Sequence, residues 1–195
     1  MIELNLCIDI DGTVTTPYYW IKYANNHFNT NVKPEDVNEY EIHNVLGVSR
    51  KEYMEFYKNI GELMHSKAKL RSRAKRVLYK LSLYHNIFYV TAREERMTKV
   101  TYSWISKRNL PCNGLCLLGS HHKVQKAKEL NCDIFIEDRY ENALELFNAG
   151  FKVLLIDCNY NRYPIPKEII RVKGWDSIYE EIEKYYYEKI KLDVA

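Results

Sequence analysis

The chain has 195 residues, 46% hydrophobic and 28% charged, which excludes wholesale disorder and leaves room for one sizeable core with a modest insertion. Lys plus Arg number 29 against 26 Asp plus Glu, and the formal charge of +3 is too small an excess to argue for nucleic acid as a partner. With no basic-then-apolar leader, no run near the roughly 18 apolar residues of a membrane span, and five cysteines that form no CxxC pair, a cytoplasmic protein with reduced thiols is expected.

Residues 4–10 form a short apolar run cut off by Asp11-Gly12-Thr13, the pattern of a buried strand ending in a tight turn. Residues 16–68 follow, too long for a crossover and rich in helix formers and aromatics, and they predict a small helical cap inserted after the first strand. Within that stretch, Lys33-Pro34-Glu35-Asp36 reads as a helix start, with proline near the first turn and acids at the positive dipole end. Beyond it, Leu70, Ala74, Val77, Leu78 and Leu81 repeat at three- and four-residue spacing as one helix face turned to a sheet. Lys67, Lys69, Arg71, Arg73, Lys75 and Arg76 fall outside that stripe and predict a solvated face rather than a nucleic-acid footprint.

Apolar runs at 86–91, 114–118, 133–137 and 151–156 then alternate with helix-like segments near 94–108, 122–130 and 141–148, the last closed by Gly150. Such alternation predicts an α/β fold: a doubly wound, Rossmann-like parallel sheet of five strands, with residues 1–15 and 69–195 as core and 16–68 as cap. A final helix at about 175–190 turns Trp175, Ile178, Ile182 and Tyr185 inward. Its Tyr185-Tyr186-Tyr187 run predicts helix packing or a homodimer contact.

Ligands of such sheets gather at the carboxyl ends of the strands, so the polar residues there are the candidates for chemistry. They are Asp9, Asp11, Thr91, Arg93, Glu137 and Asp138, with Ala92 offering a backbone N–H and Lys123 opening a helix between them. Two carboxylates at i and i+2 start on one side of the pleat and repel each other, which calls for a cation. Magnesium held by Asp9, Asp11 and Asp138 answers that need, with waters and a phosphate oxygen completing its shell. Thr91, the backbone N–H at Ala92 and the Lys123 ammonium are expected to hold phosphoryl oxygens.

With these motifs in place, the sequence resembles the haloacid-dehalogenase-like (HAD) superfamily, whose four dispersed motifs match Asp9-Ile10-Asp11-Gly12-Thr13-Val14, Thr91, Lys123 and Glu137-Asp138, in order across the core. The resemblance implies a magnesium-dependent phosphohydrolase in which Asp9 attacks phosphorus to form an aspartyl-phosphate. Asp11 would then protonate the leaving oxygen and afterwards activate water. An acid at position 11 is similar to the phosphatase and phosphomutase branches and unlike the dehalogenase branch.

More narrowly, the helical insertion, the Ile136-Glu137-Asp138-Arg139 stretch and the Asn142, Gly150 and Asn161 tail are similar to bacterial nucleotidases related to 5′(3′)-deoxyribonucleotidases. Those enzymes more often carry two aspartates where this chain has Glu137-Asp138, and a Thr-Ser-Pro-like motif where it has Thr91-Ala92-Arg93. The implied substrate is a small phosphorylated metabolite, a nucleoside monophosphate first, with a sugar phosphate or a nucleic-acid 3′-phosphate as alternatives. Tyr19 and Trp20, just after the nucleophile loop, are expected either to stack on a base or to pack cap against core. Arg93 is a candidate phosphate or base contact, or else a strand-end salt bridge.

Overall fold

The first apolar run becomes β1 (Asn5–Ile8), with Leu6, Cys7 and Ile8 wholly buried, as in a strand covered on both faces. In the computed structural model, which describes residues 3–194, β1 leads into helices α1 (Ile21–Phe28), α2 (Ile42–Leu46) and α3 (Arg50–Lys67). The chain then runs through α4 (Ala74–Leu81), β2 (Asn86–Thr91), α5 (Thr98–Lys107), β3 (Gly114–Leu117) and α6 (Val124–Glu129). It ends with β4 (Ile134–Glu137), α7 (Tyr140–Asn148), β5 (Lys152–Ile156), β6 (Ile170–Val172) and α8 (Trp175–Val194). No helix among the described residues is long and apolar enough to cross a membrane.

All six strands pair in parallel in the order β3-β2-β1-β4-β5-β6, the doubly wound sheet expected from the alternation. Winding reverses between β1 and β4, so the crevice beyond their carboxyl ends is the natural ligand position. Register brings Ile8 beside Ile136, and the Asp9 N–H continues the ladder to the Ile136 carbonyl at 3.0 Å. Side chains alternate across β1. Leu6 and Ile8 join α4, α5 and α8 through Leu78, Trp104 and Ile178, while Cys7 joins α6 and α7 through Ala127 and Leu146.

Between Thr15 and Leu70, which form an isolated antiparallel bridge, α1, α2 and α3 build an apolar cluster around Trp20, Ile21, Ala24, Leu46, Phe56 and Met64. Cys158 and Tyr160, from the loop after β5, complete it. Helix α3 starts at a capping box in which the Glu52 N–H donates to Ser49 Oγ and the Ser49 N–H donates to Glu52 Oε2. Gly61 lets α3 approach the segment before α5, since a Cβ there would lie 2.8 Å from Met97 Cε.

Four expectations need correction. The sheet has six strands instead of five, because Ile170–Val172 is too short to show a period and is defined by its register on Leu154–Ile156. Pro34–Asp36 is one 3₁₀ turn, in which Asp36 Oδ2 accepts the Lys33 N–H at 2.8 Å, and no apolar stripe follows to prolong it. Leu70 precedes its helix, since Arg73 takes a left-handed φ of 66° and α4 starts only at Ala74. Arg71 is not on a solvated face: its Nε donates to the Gly12 carbonyl at 2.6 Å and its Nη2 meets Cys158 Sγ at 2.7 Å.

The turn after β1 is thus held from several sides. Arg71 takes the Gly12 carbonyl, Thr15 Oγ1 accepts the Gly12 N–H at 3.0 Å, and Trp175 Nε1 donates to the Thr13 carbonyl at 3.1 Å. Trp175 is itself buried at the head of α8. Trp175→Ala is expected to cost about 3–5 kcal/mol in urea unfolding, by cavity formation and loss of that bond. Trp175→Phe, which keeps most of the packing, should cost about 1 kcal/mol, and equal losses for the two variants would contradict this assignment.

Candidate active site

At the end of β1 the backbone leaves strand geometry, and Gly12 makes the turn with φ +85°. A Cβ at Gly12 would lie 2.2 Å from Asp138 Oδ2 and 2.6 Å from the Tyr160 hydroxyl, so only glycine fits here. The turn sends Asp9 and Asp11 in different directions. Asp9 faces Lys123, whose Nζ lies 2.5 Å from Asp9 Oδ1 and 2.7 Å from Glu137 Oε2. Asp11 faces Arg93, whose Nε and Nη2 reach Asp11 Oδ2 and Oδ1 at 2.7 and 2.6 Å.

The ends of β1 and β4 and the start of α6 bring together four buried charged groups: Asp9, Lys123, Glu137 and Asp138. Glu137 is the fastened member, its Oε1 accepting the N–H groups of Asp138 and Arg139 at 3.0 Å and its Oε2 accepting Asn142 Nδ2 at 3.2 Å. Asp138 takes the Tyr160 hydroxyl on Oδ2 and Thr13 Oγ1 on Oδ1, while Asn161 Nδ2 holds its carbonyl at 2.6 Å.

With every group ionised, the three carboxylates and one ammonium would leave a net charge of −2 out of reach of water. Burial accordingly pushes Asp9 up to about 7, with Glu137 and Asp11 adding to the rise and Lys123 opposing it. Asp138 is driven well above the carboxylate range by burial and by the charges of Asp9 and Glu137. Burial acts against charge at Lys123 too, but Asp9 and Glu137 outweigh it and hold the ammonium protonated. Asp9, Glu137 and Asp138 each offer an oxygen, all within 4.8 Å of one another. An all-oxygen donor set with two uncompensated charges fits one hard divalent cation.

Asp11 lies outside that cluster, so its side chain does not share the cation position expected of the i, i+2 pair. The reason is that β1 ends at Ile8, so Asp11 is placed by the turn instead of by the strand pleat. Burial pushes Asp11 up, but the Arg93 guanidinium, helped by the Tyr19 hydroxyl, outweighs it and keeps the carboxyl well below the usual range. Its side chain keeps 31% of its surface exposed, in contrast to the sealed Asp9.

Arg93 takes the salt-bridge alternative, with Nη1 also donating to Thr101 Oγ1 at 3.0 Å. Thr91, at the end of β2, accepts the Arg93 N–H at 3.3 Å, and Ala92 next to it is half-buried. Tyr19 donates from its hydroxyl to Asp11 Oδ1 at 2.8 Å. Trp20 is in the apolar cluster of the helical segment and only 6% exposed, which leaves no ring face for a base.

Some residues of the site have roles that the sequence did not assign. Tyr160 and Asn161 follow β5, where the strand-end rule itself points, and Glu137, a strand-end candidate at the close of β4, holds Lys123. Tyr40 is set between His121 and Tyr160, with ring centroids 5.6 and 5.7 Å away, beneath the Arg139 guanidinium at 4.6 Å. His65 had no distinguishing signal, being a lone histidine near the end of a helix.

Sheet order and the strand-end site define the class first: this is the fold of HAD-like hydrolases. The structure superposes on a haloacid dehalogenase-like hydrolase from Streptococcus pneumoniae with a TM-score of 0.67, over 94% of this chain and 98% of that one at 15% identity. It also superposes on D,D-heptose 1,7-bisphosphate phosphatase from B. bronchiseptica, complexed with magnesium and phosphate, with a TM-score of 0.58 over 94% and 99% of the chains at 8% identity. Residues 2–186 match the family model of 5′ nucleotidase, deoxy (pyrimidine), cytosolic type C protein, and the chain belongs to that family. A nucleotidase from Clostridium acetobutylicum is 50% identical over 186 residues, covering 95% of this chain and 97% of that one. The chain is thus an enzyme of the nucleotidase type, a phosphoric monoester hydrolase.

A pH effect follows from the raised acids. Folding lifts Asp9 to about 7 from an unfolded value of about 3.9, so the folded chain binds that proton more tightly. Without metal, the stability contributed by this site is present at low pH and is lost as pH rises from about 4 through 7. Asp9→Asn removes that ionisation and is expected to raise the metal-free melting temperature by about 2–4 °C per kcal/mol recovered, more at pH 8 than at pH 5. A gain that does not grow with pH would contradict the charge imbalance.

Proposed function

We propose that the chain hydrolyses nucleoside monophosphates through an aspartyl-phosphate on Asp9, with residues 1–15 and 69–195 as a catalytic core and 16–68 as a cap. The observation that carries this reading is the division between two acids two residues apart: Asp9 sealed in a cluster of three carboxylates and one ammonium, Asp11 half-buried beside it. The nucleotide substrate is supported by family membership and by the Clostridium acetobutylicum relative.

Asp9 and Asp138 would hold magnesium, with Glu137 steadying Lys123 behind them, and the related heptose bisphosphate phosphatase carries that ion together with phosphate. Bound there, the ion would neutralise charge on phosphate oxygens. Lys123 ties up Asp9 Oδ1, which leaves Oδ2 to attack phosphorus as the ester P–O bond breaks. The leaving oxygen takes a proton from Asp11. A water then attacks the phosphoryl group, gives its proton to Asp11, and the Asp9 carboxylate and inorganic phosphate are released.

Asp11 in its Arg93-paired form is the carboxylate that the second step requires. For the first step it must carry a proton, and a phosphate dianion beside it favours that form by like-charge repulsion. Thr91, the Ala92 N–H and Lys123 are the groups that would receive the phosphate oxygens.

Asp9→Asn is expected to lower kcat on nucleoside monophosphates by at least about a thousandfold, the scale of removing a catalytic nucleophile. Full turnover by this variant would refute the covalent route. Chelation with EDTA should abolish phosphate release and magnesium should restore it, whereas activity indifferent to both would remove the ion from the scheme.

A further inference from the structure

A line of hydrogen bonds runs from α3 into the acid at position 11. Tyr57 Oη lies 2.8 Å from His65 Nε2, His65 Nδ1 lies 2.8 Å from Tyr19 Oη, and Tyr19 Oη donates to Asp11 Oδ1 at 2.8 Å. His65 is only 3% exposed, and no step of the hydrolysis described above uses it.

Donor and acceptor roles along this line follow from the Asp11 carboxylate at one end and the single ring proton of a neutral His65. The Asp11 carboxylate can only accept, so the Tyr19 proton points to it. Tyr19 oxygen then accepts from His65, which places the imidazole proton on Nδ1 and leaves Nε2 to accept from Tyr57. A single ring proton requires neutral histidine, and burial, with Arg93 and Arg96 adding to it, brings His65 down to about 3. Every bond therefore points the same way, toward Asp11.

This order also distinguishes the two oxygens of Asp11. Oδ1 receives both Tyr19 and Arg93 Nη2, whereas Oδ2 receives only Arg93 Nε among the described residues. We infer that the Tyr57–His65–Tyr19 chain fastens Asp11 by Oδ1 and presents Oδ2 for proton exchange, making His65 and Tyr19 positioning residues of the acid–base step. The inference rests on the proposed role of Asp11 as proton donor and acceptor. It gives the helical segment a part in the chemistry itself, since Tyr19, Tyr57 and His65 all come from residues 16–68.

Leaving groups separate positioning of an acid from general loss of structure. A nucleoside 5′-monophosphate expels an alkoxide that needs protonation, whereas p-nitrophenyl phosphate expels a stable phenolate that does not. Tyr19→Phe keeps the ring and removes the donor. It is expected to lower the single-turnover rate of nucleoside release, read before the shared dephosphorylation step, about tenfold, part of the roughly 10²–10⁴ that a general acid contributes, with single-turnover release of p-nitrophenolate changed less than about twofold. His65→Ala should behave in the same way, and His65→Asn, whose Nδ2 replaces the Nδ1 donor, should recover most of the loss.

Melting temperatures of all three variants show whether each is folded, and Tyr19→Phe carries the test if His65→Ala is not. Equal losses on the two substrates, or His65→Asn as impaired as His65→Ala, would overturn the positioning role. Asp9→Asn assayed beside them keeps the two failures apart: full activity there refutes the covalent reading, while an inactive Asp9→Asn with no leaving-group effect in Tyr19→Phe refutes only this inference.

Discussion

Everything at the carboxyl end of the sheet depends on one imbalance: three buried carboxylates facing one buried ammonium. A buried carboxylate without a partner loses several kcal/mol of hydration, so Asp9, Glu137 and Asp138 persist together only because Lys123 and a set of oriented donors surround them. Lys123 spans Asp9 and Glu137, and Glu137 in turn receives two backbone N–H groups and Asn142. What remains uncompensated is concentrated on Asp9 and Asp138, the pair left to bind a cation. The cluster thus has the charge to favour a hard cation, as the proposed mechanism requires.

The backbone turn at Gly12 converts two neighbouring acids into groups with different surroundings. Only glycine clears Asp138 and Tyr160 there, and Arg71, Thr15 and Trp175 hold the turn at three points. Asp9 enters the sealed cluster while Asp11 reaches Arg93 and Tyr19. Separate environments let one carboxylate be proposed as nucleophile and the other as proton carrier, a division that equal surroundings would not support.

How much of this was legible in the sequence differs with the kind of signal. Strands β1 to β5 showed as short apolar runs, since a strand covered on both faces must be apolar throughout, but β6 has three residues and exists through its pairing with β5. The strand-end acids, Thr91 and Lys123 stood out because loop chemistry follows fold topology. Arg71 was read with its exposed neighbours, because its bond to the Gly12 carbonyl depends on a chain reversal that no local pattern encodes. Trp20 and Tyr19 had identical sequence credentials, yet one packs in an apolar cluster and the other hydrogen-bonds Asp11. His65 and Tyr160 reach the site only through tertiary contacts, from a helix end and from a loop after β5.

The central claim, that Asp9 carries the phosphoryl group, is tested most directly in the Asp11→Asn variant. Without an acid to activate water, the covalent species should persist. After p-nitrophenyl phosphate is added and the reaction is quenched in acid, peptide mass analysis should find one phosphoryl group per chain on the segment containing Asp9. Continued release of p-nitrophenol with no phosphorylated Asp9 peptide would contradict the account and assign the attack to water.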